Sequence, residues 1–200
     1  MSLRLIPANE YRRERWRNGL GWTKVIFTEG TANDWDWRLS IAEIDTDCSF
    51  SAFPGCDRVL VLLAGNGIRL EFDDSTHTDL EPPHGRIAFA GERSVQCHLR
   101  DGPTADFNAI VRRDRCTMQV YHRPLVGSMV FFAEAGVLWA IHLISGRATI
   151  KSAGESASFN AGDTMLLDAV ASDAAARSIL DGGGDVLLVR IQRNNGQHDG

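Results

Sequence analysis

The chain has 200 residues, 44% of them hydrophobic and 24% charged, with a formal net charge of -5. These proportions belong to a globular protein and exclude disorder, collagen-like repeats and coiled coil, while the length allows one large β domain or two small ones. The acidic balance opposes sequence-independent nucleic-acid binding, which needs a positive face to neutralise phosphates.

The first marked segment is W16-R-N-G-L-G-W-T, a glycine-punctuated loop that brackets Asn18 between two tryptophans. Its backbone amides and the Asn18 side chain suit a ligand-facing loop, while Trp16 and Trp22 equally suit plugs at a barrel end. It has too few glycines to cradle a phosphate as a P-loop does. Strand alternation follows, with Trp37, Leu39 and Ile41 on one face and Arg38 and Ser40 on the other. If the polar face lines a small barrel, Arg38 is a buried cation that requires an anionic partner or ligand; if it faces water, Arg38 only solubilises. Next comes F50-S-A-F-P-G-C-D-R, where Pro54-Gly55 makes a turn and Asp57-Arg58 opens the apolar strand V59-L-V-L-L. A charged pair at a strand's mouth is expected to hold a carboxylate.

Ile68, Leu70 and Phe72 alternate with Arg69, Glu71 and Asp73, and V95-Q-C-H-L is a further strand. D106-F-N, followed by Arg112 and Arg113, supplies an acid, an amide and two guanidinium groups over one strand length. Asp106 and Asn108 alternate about Phe107 and can face one cavity, although a turn aspartate with a local backbone bond would read the same way. M118-Q-V-Y, V137-L-W-A-I-H-L-I and V186-L-L-V-R-I complete the strands, and only the alanine-rich stretch from Asp168 to Arg177 hints at a helical turn. Many short strands between Gly, Pro, Asp and Asn clusters predict an all-β sandwich or barrel.

L62-L-A-G-N-G-I-R-L and H142-L-I-S-G-R-A-T-I echo one another, with Gly65 and Gly146 81 positions apart, and a second glycine pair, Gly85 and Gly162, is 77 positions apart. The echoes predict two copies of one β-barrel unit, residues 1–115 and 116–200, joined around Asp114 to Gly127. The first carries nearly all the unusual polar residues and so the candidate site.

The six histidines are scattered singly, with no H-x-H, H-E-x-x-H or paired C-x-x-C, so neither a metal nor another cofactor is expected. His142 alternates with apolar neighbours as a core histidine does. No G-x-S-x-G or other nucleophile signature is present. Cys48, Cys56, Cys97 and Cys116 read as small buried hydrophobes; Cys48 and Cys56 are near enough in sequence to pair, but a reducing compartment favours thiols. No apolar run approaches the roughly 18 residues of a membrane helix, and the first residues lack an export-type stretch, so a cytoplasmic protein without membrane partners is expected. Of the 21 basic residues only Lys24 and Lys151 are lysines, and arginine suits bidentate carboxylate recognition.

Taken together these segments resemble the HutD/Ves family of bacterial bicupin proteins. W16-R-N-G-L-G-W-T resembles the family's W-x-N-G-G-G-x-T, W37-R-L-S-I-A its W-R-x-S-x-A, and F50-S-A-F-P-G-C-D-R its F-S-x-F-P-G-x-D-R, with D106-F-N and R112-R in order behind them. Leu20 stands where the family usually has glycine. The resemblance implies two cupin-like, jelly-roll barrels in one chain, without cupin metal ligands and with no settled enzymatic activity. Its HutD branch implies a link to histidine utilisation, where an acidic intermediate tunes the pathway; its Ves branch implies a stress response. Formylglutamate, formiminoglutamate and urocanate are the ligands the HutD branch suggests.

The leading expectation is a regulatory protein that binds a small acidic metabolite, with Arg38 and Arg58 meeting its charge and Trp16, Asn18, Thr23, Ser40, Asp106 and Asn108 completing the site. A metal-free isomerase or hydrolase acting on a small acid or sugar derivative is the alternative. There Asp106 would be general base, weakened because its arginine neighbours should lower its pKa. A third reading is a protein-interaction module. Dimerisation through edge strands is the default for such β proteins.

Overall fold

The computed structural model describes residues 1–16, 19–31, 33–168 and 177–194. Among them the regular structure is β throughout, apart from a single 3-10 turn at Ala8–Glu10. The expected strands are all present, and three unexpected ones precede them, Ser2–Ile6, Arg12–Arg15 and Gly21–Gly30. The helical turn expected between Asp168 and Arg177 falls on 169–176, outside the described residues.

The chain divides into two compact units, Tyr11–Asp114 and the combination of Met1–Glu10 with Arg115–Gly200. The sequence assigns residues 1–10 to the first half, but Ser2–Ile6 pairs antiparallel with Thr164–Asp168, which places them in the second unit. The expected linker around Asp114 to Gly127 is also shorter than supposed, because Cys116–Phe132 is already a strand paired along its length with Arg177–Arg193.

The Tyr11–Asp114 unit has two antiparallel sheets. One runs in the order Arg12–Arg15, Gly21–Gly30, Trp35–Ile44, Thr104–Arg112, Cys56–Ala64 and Arg86–Ala90. The other runs Cys48–Ser49, Val95–Leu99, Ile68–Phe72 and His77–Leu80. Ala42, Ile44, Leu60 and Leu62 of the first sheet pack with Cys48, Ile68, Leu70, Val95 and Cys97 of the second in one buried cluster. Their period-2 spacing puts a whole apolar face of each strand between the sheets. On the opposite face Trp37, Leu39, Val61, Phe107 and Ala109 are buried too, so the central strands have no solvent face.

The other unit holds a sheet in the order Ser2–Ile6, Thr164–Asp168, Val137–Ser152, Arg177–Arg193 and Cys116–Phe132, with Glu155–Asn160 also paired to Val137–Ser152. The glycine echo holds only in part. Gly65 makes a turn between strands, whereas Gly146 lies inside one long strand, three residues beyond Leu143, where the register shifts. Both have positive φ, and a Cβ on Gly146 would sit 1.9 Å from the Gly183 carbonyl oxygen, so backbone crowding explains this glycine.

His142 is 2% exposed and shares a 3.0 Å hydrogen bond between Nδ1 and the Thr164 hydroxyl, as a core histidine should. Burial lowers its pKa to about 4 from 6.5. As pH falls through that window the unfolded chain gains a proton that the native state refuses, so native stability falls with it, by up to about 3 kcal/mol at the acid end. In urea unfolding, His142→Gln is expected to lose this part of the acid destabilisation between pH 7 and 4.

Candidate functional site

The inner face of the six-stranded sheet opens at one end into a cavity of about 520 Å³ within the Tyr11–Asp114 unit. Alternation decides which residues reach it. In the strand register Arg38 stands opposite Ile110 and Ile110 opposite Arg58, and in the next row Ser40 stands opposite Asn108 and Asn108 opposite Leu60. Two guanidinium groups and two small polar groups therefore occupy adjacent rows of one face.

Arg58 is the central feature. It is 6% exposed, and its Nε donates a 2.9 Å hydrogen bond to the Asn108 Oδ1, which also accepts from one terminal nitrogen. Its guanidinium carbon lies 4.7 Å from the Phe50 ring centroid, 5.3 Å from Phe89 and 5.9 Å from Phe53. Burial lowers its pKa to about 10, so it stays cationic at neutral pH, and Asp106 opposes that shift electrostatically. No carboxylate among the described residues forms an ion pair with it.

Arg38 lines the same cavity, so of its two expected orientations the inward one holds. Burial lowers its pKa, partly offset by Glu14, whose carboxylate is 3.5 Å from one terminal nitrogen. Its Nε is buried without a hydrogen-bond acceptor. At the rim, Trp16 donates from Nε1 to the Thr23 hydroxyl at 2.8 Å. The Trp16 amide donates to the Gly21 carbonyl, and Gly19 donates back to Trp16, which closes the loop between Arg12–Arg15 and Gly21–Gly30.

Trp16, Thr23, Arg38, Ser40, Arg58 and Asn108 are thus brought together around one cavity. Asn18 lies outside the described residues. Asp106 shares the face of Asn108 but sits one row deeper, 0% exposed, and does not line the cavity. One of its oxygens accepts from the Thr104 hydroxyl at 3.2 Å and the other, Oδ1, has no partner. Arg58 does pull its pKa down, as expected, but burial outweighs both Arg58 and Thr104 and raises it to about 7.

Alternation corrects another expectation. Asp57 and Arg58 do not act as a pair at the mouth, because adjacent strand residues point to opposite faces; Asp57 accepts a 2.8 Å bond from Arg113. Arg113 also stays out of the cavity, held by Asp57 and Glu92, and Arg112, though it alternates with Asn108 and Ile110, lies at the strand's end close to Asp114 and does not line it. Glu14, Arg15, Ser49, Phe50, Ser51 and Phe53 also line the cavity, beyond the site residues expected from the sequence. Phe50 and Phe53 carry a signal, two aromatics just ahead of the Pro54-Gly55 turn, whereas Glu14 and Arg15 sit in a charge run that gives none. Among the described residues no group of three or more His, Cys, Asp or Glu side chains could hold a metal ion.

A model of the HutD family matches residues 8–188. The chain belongs to the HutD family. Curated relatives include an uncharacterised 21.2 kDa protein of the hutC 3' region of Pseudomonas putida, 40% identical over 57% of this chain and 60% of that one. Protein Ves of Escherichia fergusonii is 41% identical over 60% of each chain. The matched region thus spans about 60% of the length of these relatives. A conserved protein of unknown function from Pseudomonas aeruginosa PAO1 superposes with a TM-score of 0.86 at 26% identity, covering 98% of this chain and all of the other. HutD from Pseudomonas fluorescens SBW25, solved in a formate condition, superposes at 0.79 with 28% identity over 97% of this chain and all of that one. At 11% identity a cupin 2 conserved barrel domain protein from Leptotrichia buccalis gives 0.56 over 96% of each chain, a likeness of fold alone.

In this HutD-family chain Leu20 replaces a usual family glycine without altering the backbone's options. The non-glycine residues with positive φ among those described are Ser75, His84 and Ala153, so Leu20 needs no glycine-only conformation. The close approach falls on Gly21 instead, where a Cβ would lie 2.6 Å from the Glu43 carbonyl oxygen.

Proposed function

We propose that the Tyr11–Asp114 unit is a cupin-like barrel whose cavity binds a small carboxylate metabolite, in a two-barrel cytoplasmic protein that regulates histidine utilisation. The observation that carries this reading is Arg58. A buried cation without an anion in contact costs several kcal/mol, and here its one hydrogen-bond acceptor is a neutral amide oxygen. A ligand carboxylate entering beside it supplies the missing charge through paired N–H donors, while Arg38 offers a second, unaccepted N–H on the same face. The Phe50, Phe53 and Phe89 rings exclude water and strengthen that attraction. The formate condition of the Pseudomonas fluorescens HutD structure makes formate the simplest probe. Asp106 gives no support to the enzyme reading, because a general base must reach the substrate and its carboxyl lies beneath the cavity floor.

The test is thermal melting with chelator at constant ionic strength, against formate, urocanate, formylglutamate and formiminoglutamate and against matched neutral amides. A carboxylate at about 100 times its dissociation constant adds roughly 2.7 kcal/mol, a rise of something like 5 to 10 °C for a chain of this size. At least one carboxylate is expected to give it and its amide is not. Equal shifts with amides, or a flat panel, would overturn the reading.

A further inference from the structure

Beneath the cavity the chain carries a feature that ligand binding does not use. Cys48, in the two-residue edge strand Cys48–Ser49, stands directly opposite Cys97 of Val95–Leu99. Both are free thiols, 5% and 0% exposed. Directly opposed residues of an antiparallel pair have Cα atoms about 4.5 or 5.5 Å apart, and either spacing falls within the 4.4 to 6.8 Å range of a disulfide. The Asp106 carboxyl, with its unpartnered Oδ1, lies close enough for its charge to act on both thiols.

We propose that Cys48 and Cys97 form a redox-active dithiol, oxidised to a disulfide by small uncharged peroxides, with Asp106 receiving the resolving thiol's proton. The roles differ because Cys48, on the edge strand and the less buried of the two, is the thiol a peroxide reaches first, and Cys97 beside it lowers the Cys48 pKa against the opposing effect of burial. The Cys48 thiolate attacks one peroxide oxygen and the O–O bond breaks; Cys48 becomes a sulfenic acid, and the departing hydroxide takes the proton the thiol lost to leave as water. Cys97 then gives its proton to the Asp106 carboxylate and its sulfur attacks Cys48 Sγ. The S–O bond breaks, and the second hydroxide leaves as water with the proton from Asp106. Two thiols and one peroxide yield one disulfide and two waters, with both electrons drawn from the sulfurs. Access comes through Ala42, which lines the cavity and belongs to the same buried cluster as Cys48 and Cys97. The disulfide ties the wall formed by Ser49 and Phe50 to the next strand.

The full chain treated with hydrogen peroxide and unfolded in alkylating agent provides the test. Peptide mapping without reductant is expected to find Cys48 joined to Cys97, reversed by dithiothreitol, with Cys56 and Cys116 alkylated. Cys97→Ala should stop at a dimedone-reactive sulfenic acid on Cys48. Asp106→Asn should prolong that intermediate at least tenfold. The wild-type map needs no variant to fold: recovery of both Cys48 and Cys97 as thiols while Cys56 or Cys116 oxidises would overturn the proposal. It stands or falls independently of the carboxylate reading.

Discussion

Arg58→Met is expected to lose about a thousandfold in carboxylate affinity while unfolding at no lower denaturant concentration than the parent protein. The two effects separate because Arg58 has a poor set of native partners. Removing one member of a buried charge pair costs a complex about 2 to 5 kcal/mol, and a thousandfold is about 4 kcal/mol, so ligand binding should suffer the full loss. The empty protein gives up one shared acceptor, the Asn108 Oδ1, which then lacks its donor at a cost of about 1 to 3 kcal/mol. Against that stand relief from desolvating a cation, several kcal/mol, and a thioether that packs against Phe50, Phe53 and Phe89. Arg58→Lys should fall between, since it keeps the charge and loses the planar fork. Calorimetric titration with the best carboxylate and urea unfolding of the same samples read the two quantities. A Met variant that binds normally, or that loses stability while keeping affinity, would make Arg58 part of the scaffold.

What could be read beforehand follows from how local each signal is. Alternation within one strand is local, so Arg38 with Ser40 and Asp106 with Asn108 were legible as sharing a face, and the structure keeps both pairs together. Depth along that face is not local. It depends on where the second sheet closes over the strand, and this separates Asn108, which lines the cavity, from Asp106, sealed among Thr104 and the thiols. Alternation also separates Asp57 from Arg58, which rules out a charged pair at the mouth. The opposition of Cys48 and Cys97 arises from register between strands 49 positions apart, for which one sequence offers no cue. Arg12–Arg15 escaped for another reason. It is an edge strand without a buried residue, so R-R-E-R shows no apolar period, and charge is how edges resist association.

Asp106→Asn is expected to reverse its effect on stability across neutral pH. Burial holds the Asp106 carboxyl at about 7, against 3.8 ordinarily, so between these values the native state keeps a proton the unfolded chain has released. The native state then binds more protons than the unfolded one, and stability falls as pH rises through that window. Three units at about 1.4 kcal/mol each make a loss of roughly 4 kcal/mol by the alkaline end. An amide does not ionise and escapes this loss. Near pH 4 the variant should equal the parent or trail it by about 1 to 3 kcal/mol, since its amide N–H has no acceptor where Oδ1 now has no partner; above pH 7 it should be the more stable protein. Urea unfolding of both proteins from pH 4 to 8 measures this, and the difference between them isolates Asp106, because His142 acts with opposite sign in the same range and cancels from the comparison. Parallel curves would mean that Asp106 ionises as an ordinary carboxylate within the fold. It would then serve as the counter-charge for Arg58, and the cavity would have no need of an external anion. The pH dependence of one buried carboxyl therefore bears on what the cavity above it can bind.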